Sequence, residues 1–460
     1  MPKDREKLAY AIFLAFIAIF VIVALKGLAA PQPGDENAYY YMGRLVSEGK
    51  SPYSDFFYAH PPLHIYLIAL IYKIFGFNII ALKLIPLLSA LASALFVFKI
   101  TKEKFGNASA LISSALFLFS YSIMFNSVFS FGIMPAVMFL TAGAYFLWIK
   151  NNCILAGMLF GLAGITRLLS LVPILIILIV FLFAKEKGFL KLLCAFSLVF
   201  LVTNGIFIAL HKDSYLIPVY KFHLLKSSDS GENFREYADT LKLNWLLFLS
   251  AALLIFVKGK KQAGAFALVA AAHLLFLLAL KKIFGFYFII AFPFLAIIGG
   301  HSIANLYNKI NLSKKWKRTI LIILLVIFAW DLTANILFLE KIGFKGFERK
   351  DGLMEFIESS SGNDTLLFGD DSVVPLLALL TNKKIALELV DTNNQVFITG
   401  MKDLNKALND LKGKDILFII RNKQGISYFK EVRSFLDKNC GFLSQFHDKI
   451  EGDYIVYRCR

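Results

Sequence analysis

Two stretches, Pro33-Gly34-Asp35-Glu36-Asn37-Ala38-Tyr39-Tyr40 and Ser51-Pro52-Tyr53-Ser54-Asp55-Phe56-Phe57-Tyr58-Ala59-His60-Pro61-Pro62-Leu63, form the densest polar and aromatic region of this 460-residue chain. A carboxylate there can act as a general base. Asp35, Glu36, Asp55 and His60 could instead gather round a divalent cation, since hard oxygen ligands suit Mg²⁺ or Mn²⁺. Structural duties are open to the same residues. Asp35 and Glu36 suit the amino end of a short helix, where a carboxylate contributes a few tenths to ~1 kcal/mol. Asp55 suits a turn or an ion pair with Arg44. Tyr39, Tyr40, Tyr53 and Tyr58 can stack on sugar faces, and tyrosines equally populate membrane interfaces with no ligand.

The candidate cations lie further apart. Arg167 falls between two apolar segments, where a buried guanidinium is expensive without an anionic partner such as a lipid phosphate; a snorkelling side chain is the alternative. His60, His223 and Lys281 or Lys282 are further candidates for phosphate contact, and His223 could equally be a satisfied loop histidine. No GxxxxGK[ST], HExxH, CxxC or GxSxG pattern occurs, so ATP-driven transport, zinc proteolysis and serine hydrolysis have no foothold.

These residues must be held by membrane helices. The chain is 58% hydrophobic with 47 Phe, more apolar surface than a soluble domain of ordinary composition can bury. Apolar runs of roughly 17 to 25 residues, enough to cross ~30 Å of hydrocarbon, recur from Leu8 to Leu339. The expected spans number about eleven: 8–28, 79–98, 108–125, 131–149, 153–166, 168–184, 189–210, 241–257, 262–280, 283–303 and 319–339. The segment Cys153–Thr166 is short and carries Gly157, Gly161 and Gly164, which predicts close packing against its neighbours. Of the formal charge of +17, none comes from residues 340–460, which hold 18 Lys and Arg against 18 Asp and Glu. The basic excess lies between spans, where it fixes topology, and so does not argue for nucleic acid. Bases such as Lys99, Lys150, Lys258, Lys260 and Lys315 then mark the cytoplasmic side together with the amino terminus. Loops 29–78 and 211–240 face outward, as does the tail.

Residues 1–339 are thus expected to form the membrane domain and 340–460 an extracytoplasmic α/β domain. Short apolar runs at 365–368, 385–387, 416–420 and 454–457 alternate there with helical patterns at 372–380, 402–411 and 428–438. Cys440 and Cys459 could pair in an oxidising compartment or remain free thiols.

The acidic pair just after the first span, the PYxDFFYxHPPL pattern before the second, and the segments Gly157–Arg167 (GMLFGLAGITR), Tyr220–Leu224 (YKFHL) and Gly285–Pro293 (GFYFIIAFP) together resemble the C-type (GT-C) membrane glycosyltransferases. That superfamily includes the protein O-mannosyltransferases and the lipid A aminoarabinose transferase. The resemblance spans about residues 8–339. It implies a helical polytopic bundle and transfer of a hexose or pentose from a polyprenyl-phosphate donor to a hydroxyl on protein, glycan or lipid, with inversion at the anomeric carbon. It further implies Asp35 as the catalytic carboxylate and Arg167 at the carrier phosphate; His60, His223 and Lys281 stay outer-face candidates for contact with that phosphate. Glu36, Tyr40, Tyr53, Asp55, Tyr58 and Tyr287 would line the site. Members differ in metal use, so Mg²⁺ or Mn²⁺ stays open. His60 stands where the aminoarabinose branch carries Lys, which argues against that branch's substrate. A transporter or lipid flippase also needs many spans, but it predicts broken helices with charges near the midplane rather than polar residues gathered in outer loops.

Overall fold

The computed structural model describes residues 2–227, 230–257, 261–309, 311–422, 424–448 and 452–460. Lys258 and Lys260, two of the bases used for orientation, lie outside the described residues. The chain is mostly helical and divides into two compact units. One unit comprises Met1–Leu28, Lys83–Ile206 and Ser228–Phe344. The other comprises Ala29–Leu82, Phe207–Ser227 and Lys345–Arg460, so that loop 29–78 and the first half of loop 211–240 cluster with the tail while the rest of the second loop falls in the first unit.

In the first unit every expected span is occupied by helix, including Pro2–Leu28, Ile79–Phe105, Ile133–Trp148, Cys153–Thr166, Phe189–His211, Lys261–Ala279 and Lys314–Phe338. Among the described residues five helices are long and apolar enough to cross a membrane alone, and a sixth crossing forms if the bent pair Gly231–Leu243 and Trp245–Phe256 is one span. The remaining candidates are shorter apolar helices, so the count of eleven depends on segments that length alone does not qualify. Two are built from pieces: a 3-10 segment Gly285–Ala291 leads into Phe292–Lys309, and Asn107–Leu118 is followed by the separate helix Tyr121–Asn126.

Close packing at Cys153–Thr166 has a direct physical cause. A Cβ on Gly157 would stand 2.4 Å from the Leu192 carbonyl oxygen, and one on Gly161 would stand 2.6 Å from Val199 Cβ. The missing side chains let this helix lie against Phe189–His211, where the contact is dispersion rather than escape from water. Phe20, Phe98, Phe117, Phe160, Phe288 and Phe292 fill the interior of this unit.

In the second unit the tail forms a four-stranded sheet of β1 (Leu366–Gly369), β2 (Ile416–Arg421), β3 (Cys440–Asp448) and β4 (Gly452–Cys459), ordered β1-β2-β4-β3. β1 and β2 are parallel and the other pairs antiparallel. Helices Val374–Leu380, Leu404–Leu411 and Lys430–Asn439 stand where the sequence periodicity puts them. Ile385–Leu387 is no strand. It makes a single bridge, Leu367 to Ile385, because Leu387 and Glu388 then adopt φ of 59° and 51° and turn the chain. Cys440 and Cys459 face each other across β3 and β4 and are joined as a disulfide.

Candidate functional site

The outer-loop residues converge through the helix Asp35–Ser47. Its inner face, including Glu36, Asn37, Tyr40 and Tyr41, is buried, while Asp35 in the first turn is exposed. Glu36 is wholly buried and accepts a hydrogen bond from Tyr40 Oη at 3.0 Å. One acid of the pair is therefore committed to packing and the other faces solvent.

The second stretch folds back onto this helix. Asp55 closes a turn, its Oδ2 accepting from the Ser51 amide at 2.7 Å, while Arg44 pairs with Glu48 at 2.8 Å. Of the two duties open to Asp55, the turn is the one it takes, and Arg44 pairs instead with Glu48 at i,i+4. Tyr53, at φ 74°, donates through Oη to the His60 carbonyl at 2.8 Å, and burial pushes its phenol well up, keeping it a neutral donor. His60 Nε2 lies 2.9 Å from Tyr39 Oη. Its ring stacks on that of His223, centroids 5.4 Å apart, and the Tyr58 ring stands edge-on at 5.7 Å. His223 Nε2 donates to the Ala59 carbonyl at 2.7 Å. Phe57, Ala59, Phe222 and Val396 seal the floor of this cluster. Loop one and loop two therefore meet at the two histidines.

The proposed cation set does not assemble. Among the described residues no group of three or more His, Cys, Asp or Glu side chains is arranged to hold a metal ion. Glu36 is engaged by Tyr40, Asp55 by its own turn, and His60 by Tyr39 and His223, so these donors do not gather with Asp35.

The tail supplies residues that sequence reading missed. Gly34 N and Asn37 Nδ2 donate to the Ser372 carbonyl at 3.0 and 2.9 Å, and the Ile385 amide donates to Tyr41 Oη at 2.8 Å. Asp371 and Asp391 both feel the charge of Asp35: burial first, then the charges of Asp370, Asp391 and Asp35, push Asp371 well above the ordinary carboxylate range, with Arg421 opposing. Burial also raises Asp391 to about 6, with Asp35 adding to the rise and the Asn393 amide and Lys226 opposing it. His64, wholly buried beside Tyr39 at 5.3 Å, was also missed. A signal for the acids existed: Gly369-Asp370-Asp371 directly follows an apolar strand, and the carboxyl ends of parallel strands are where α/β domains place functional loops.

In the helical unit Arg167 is buried at the carboxyl end of Cys153–Thr166, its amide bonded to the Ala163 carbonyl. The turn Leu168–Ser170 that follows touches Gly285–Ala291, the segment of Tyr287. Tyr287 is itself buried, and its carbonyl accepts from His273 Nε2 at 3.0 Å. Lys281 is exposed, with its carbonyl accepting from Asn233, while Lys282 pairs with Glu232. Wholly buried Lys83, whose Nζ donates to the Gly27 carbonyl at 3.1 Å, had no sequence signal beyond its place in an apolar run.

Residues 59–208, a third of the chain, match the sequence family described as dolichyl-phosphate-mannose-protein mannosyltransferase. No curated protein matches the chain significantly by sequence. Solved structures do match. ArnT from Cupriavidus metallidurans bound to undecaprenyl phosphate superposes with a TM-score of 0.68 at 13% identity, over 96% of this chain and 97% of that one. The oligosaccharyltransferase of Archaeoglobus fulgidus, in complex with Zn and sulfate, gives 0.57 at 12% identity, over 96% and 72%. The arabinofuranosyltransferase AftD from Mycobacteria gives 0.52 at 12% identity, over 97% and 41%.

The fold is that of a C-type membrane glycosyltransferase.

Within this glycosyltransferase fold, Asp35, Glu36, Tyr40, Tyr53, Asp55, Tyr58, His60 and His223 share the loop-and-tail unit, whereas Arg167, Lys281 and Tyr287 belong to the helical unit. The aromatic and histidine cluster offers flat faces of the kind that hold a sugar, and the exposed Asp35 in the same unit offers a carboxylate of the kind that accepts a proton.

Proposed function

We propose that this protein moves a sugar from a polyprenyl-phosphate donor to a hydroxyl acceptor on protein, glycan or lipid at the outer face of the membrane. The observation that carries the reading is the division of labour in Asp35-Glu36: Glu36 is buried against Tyr40, and Asp35 is exposed in the first turn of the helix that carries Tyr39 and Tyr40. The fold shared with an undecaprenyl-phosphate-bound ArnT supports the donor class.

Asp35 would take the proton of the acceptor hydroxyl as its oxygen attacks the anomeric carbon. The bond from that carbon to the phosphate oxygen breaks with its electron pair, and one displacement inverts the centre. The leaving group is a phosphate monoester, which needs cations rather than a proton donor. This reading gives His60 and His223 to the phosphate, with Tyr40, Tyr53 and Tyr58 lining the site in the loop-and-tail unit; Arg167, Lys281 and Tyr287 belong to the helical unit and keep the roles the resemblance implies for them. His60, where the aminoarabinose branch carries Lys, argues against aminoarabinose as the sugar. The disulfide between Cys440 and Cys459 supports an extracytoplasmic tail, since such bonds persist in oxidising compartments.

The test is purified wild type against Asp35→Asn, offered radiolabelled undecaprenyl- and dolichyl-phosphate sugars with a membrane extract as acceptor. Loss of transfer by about 10²-fold or more with an unchanged melting temperature is expected, the scale at which general-base catalysis operates. Full activity in the variant would remove Asp35 as the base.

A further inference from the structure

The tail has a fold but no assigned task, and its contact with the Asp35 helix is unusually direct. Of the groups nearest Asp35 in the chain, the amide of Gly34 and the side chain of Asn37 both end on one acceptor, the Ser372 carbonyl, at 3.0 and 2.9 Å. Asn37 is wholly buried, and its Nδ2 also donates to the Gln32 carbonyl at 2.7 Å, so the strand entering the helix is tied at the same point. Ser372 is in turn held from behind. Its amide donates to Asp370 Oδ1 at 3.0 Å, and its hydroxyl donates to the same oxygen. Asp370 is almost fully buried, with Arg421 of β2 at 3.3 Å from Oδ2.

The base of this arrangement is the sheet itself. A Cβ on Gly369 would stand 1.8 Å from the Ile419 carbonyl oxygen, so β1 leaves the sheet against β2 with no freedom to shift, and the Asp370 amide bonds to that carbonyl at 2.8 Å. A chain of short polar contacts thus runs from β2 through Asp370 and Ser372 to the residues on either side of Asp35.

We propose that the tail is a working part of the catalytic apparatus: its Asp370–Ser372 turn is a positioning element that fixes the first turn of the Asp35 helix through the Ser372 carbonyl. The inference rests on Asp35 being the base. Proton abstraction by a carboxylate at a helix end depends on its placement, and displacement by about 1 Å is enough to cost as much as 10²-fold in rate. Asp370 and Asn37 act on Asp35 from opposite sides of one carbonyl and are positioning residues.

The experiment uses the full-length protein in detergent with the donor that wild type turns over. Asp370→Asn and Asn37→Ala should each lower turnover at saturating donor by about tenfold, with donor KM and melting temperature unchanged. Because both act through the same carbonyl, the double variant should lose no more than the worse single one. Hydrogen exchange at the Gly34 amide, slow in wild type and faster in Asp370→Asn, reads the same contact with no donor present. Equal exchange in the two proteins overturns the proposal, as do wild-type turnover in both single variants, additive losses in the double, or losses that only track a lowered melting temperature. The two readings separate cleanly: an inactive Asp35→Asn beside fully active Asp370→Asn and Asn37→Ala keeps the base and discards the clamp. An active Asp35→Asn discards both.

Discussion

Leu201 and Phe418 are both large apolar residues on regular elements, yet Leu201 in the helical unit is 60% exposed and Phe418 on β2 is wholly buried. The contrast is general. Phe183, Leu198, Leu325 and Trp330 project outward from apolar helices, whereas Leu367, Ile416, Ile419 and Val432 of the tail are hidden. For the tail, water is the solvent and burial of apolar area drives folding at roughly 25 cal/mol per Å². For the helices, lipid is as apolar as leucine, and the driving force moves to close backbone approach at Gly157 and Gly161 and to internal satisfaction of backbone polar groups. Burial therefore marks stability in one region and helix contact in the other.

The largest effect that would sharpen this comparison is expected at Gly369. An alanine there would have to stand 1.8 Å from the Ile419 carbonyl at a φ of 137°, so Gly369→Ala should cost more than about 4 kcal/mol and unfold the tail. Hydrogen exchange should then show loss of protection in β1 and β2 with the membrane helices still protected. Retained protection at β2 would mean that the close approach of the two strands is wrong.

A pair of truncations tests the two solvents directly. Phe418→Ala should destabilise the tail by about 3–5 kcal/mol, the range for a buried phenylalanine. Leu201→Ala should change stability in detergent by within about 0.5 kcal/mol, as exposed positions do. Equal costs at the two positions, measured by denaturant titration, would break the distinction.

The same physics decides what could be read from the sequence. The apolar helices were legible because lipid-facing helices are apolar all round, although among the described residues length qualifies only five of them, or six with the bent pair, to cross a membrane. β3 was not, because Cys440–Asp448 is a largely exposed edge strand whose Gly441, Gln445 and His447 interrupt any apolar alternation. Ile385–Leu387 misled for the opposite reason: its apolar residues are there to pack, while the left-handed backbone at Leu387 and Glu388 prevents a strand. Asp35, Tyr53 and His60 stand out in the sequence as candidates because they lie within one loop. The Ser372 carbonyl was not, because Asn37 reaches it across 335 residues and a carbonyl has no residue type to recognise. Nor does an acidic pair reveal which member is buried; only the packing of Glu36 against Tyr40 separates it from Asp35.

A response of the tail to pH, at most about 3 kcal/mol before solvent screening, completes the comparison. Asp391 is raised from the ordinary aspartate value to about 6, and Asp371 is raised as well, chiefly by burial and by neighbouring carboxylates that include Asp35. An acid whose folded pKa is raised opposes folding while it is ionised, so its cost is present above about 6 and is relieved as pH falls from there toward the unfolded value of about 3.9. Asp415 works the other way. Hydrogen bonds from Arg458 hold its carboxyl below the ordinary value, so its contribution is intact above that value and is lost as pH falls below it. Tail stability should therefore rise on acidification from pH 7 and turn downward only once Asp415 takes up a proton. Hydrogen exchange of β1 and β2 in the full-length protein, corrected for intrinsic rates, would follow both limbs. Asp391→Asn should flatten the upper limb and leave the lower one in place, and an unchanged upper limb would show that the strain among the carboxylates around Asp35 resides elsewhere.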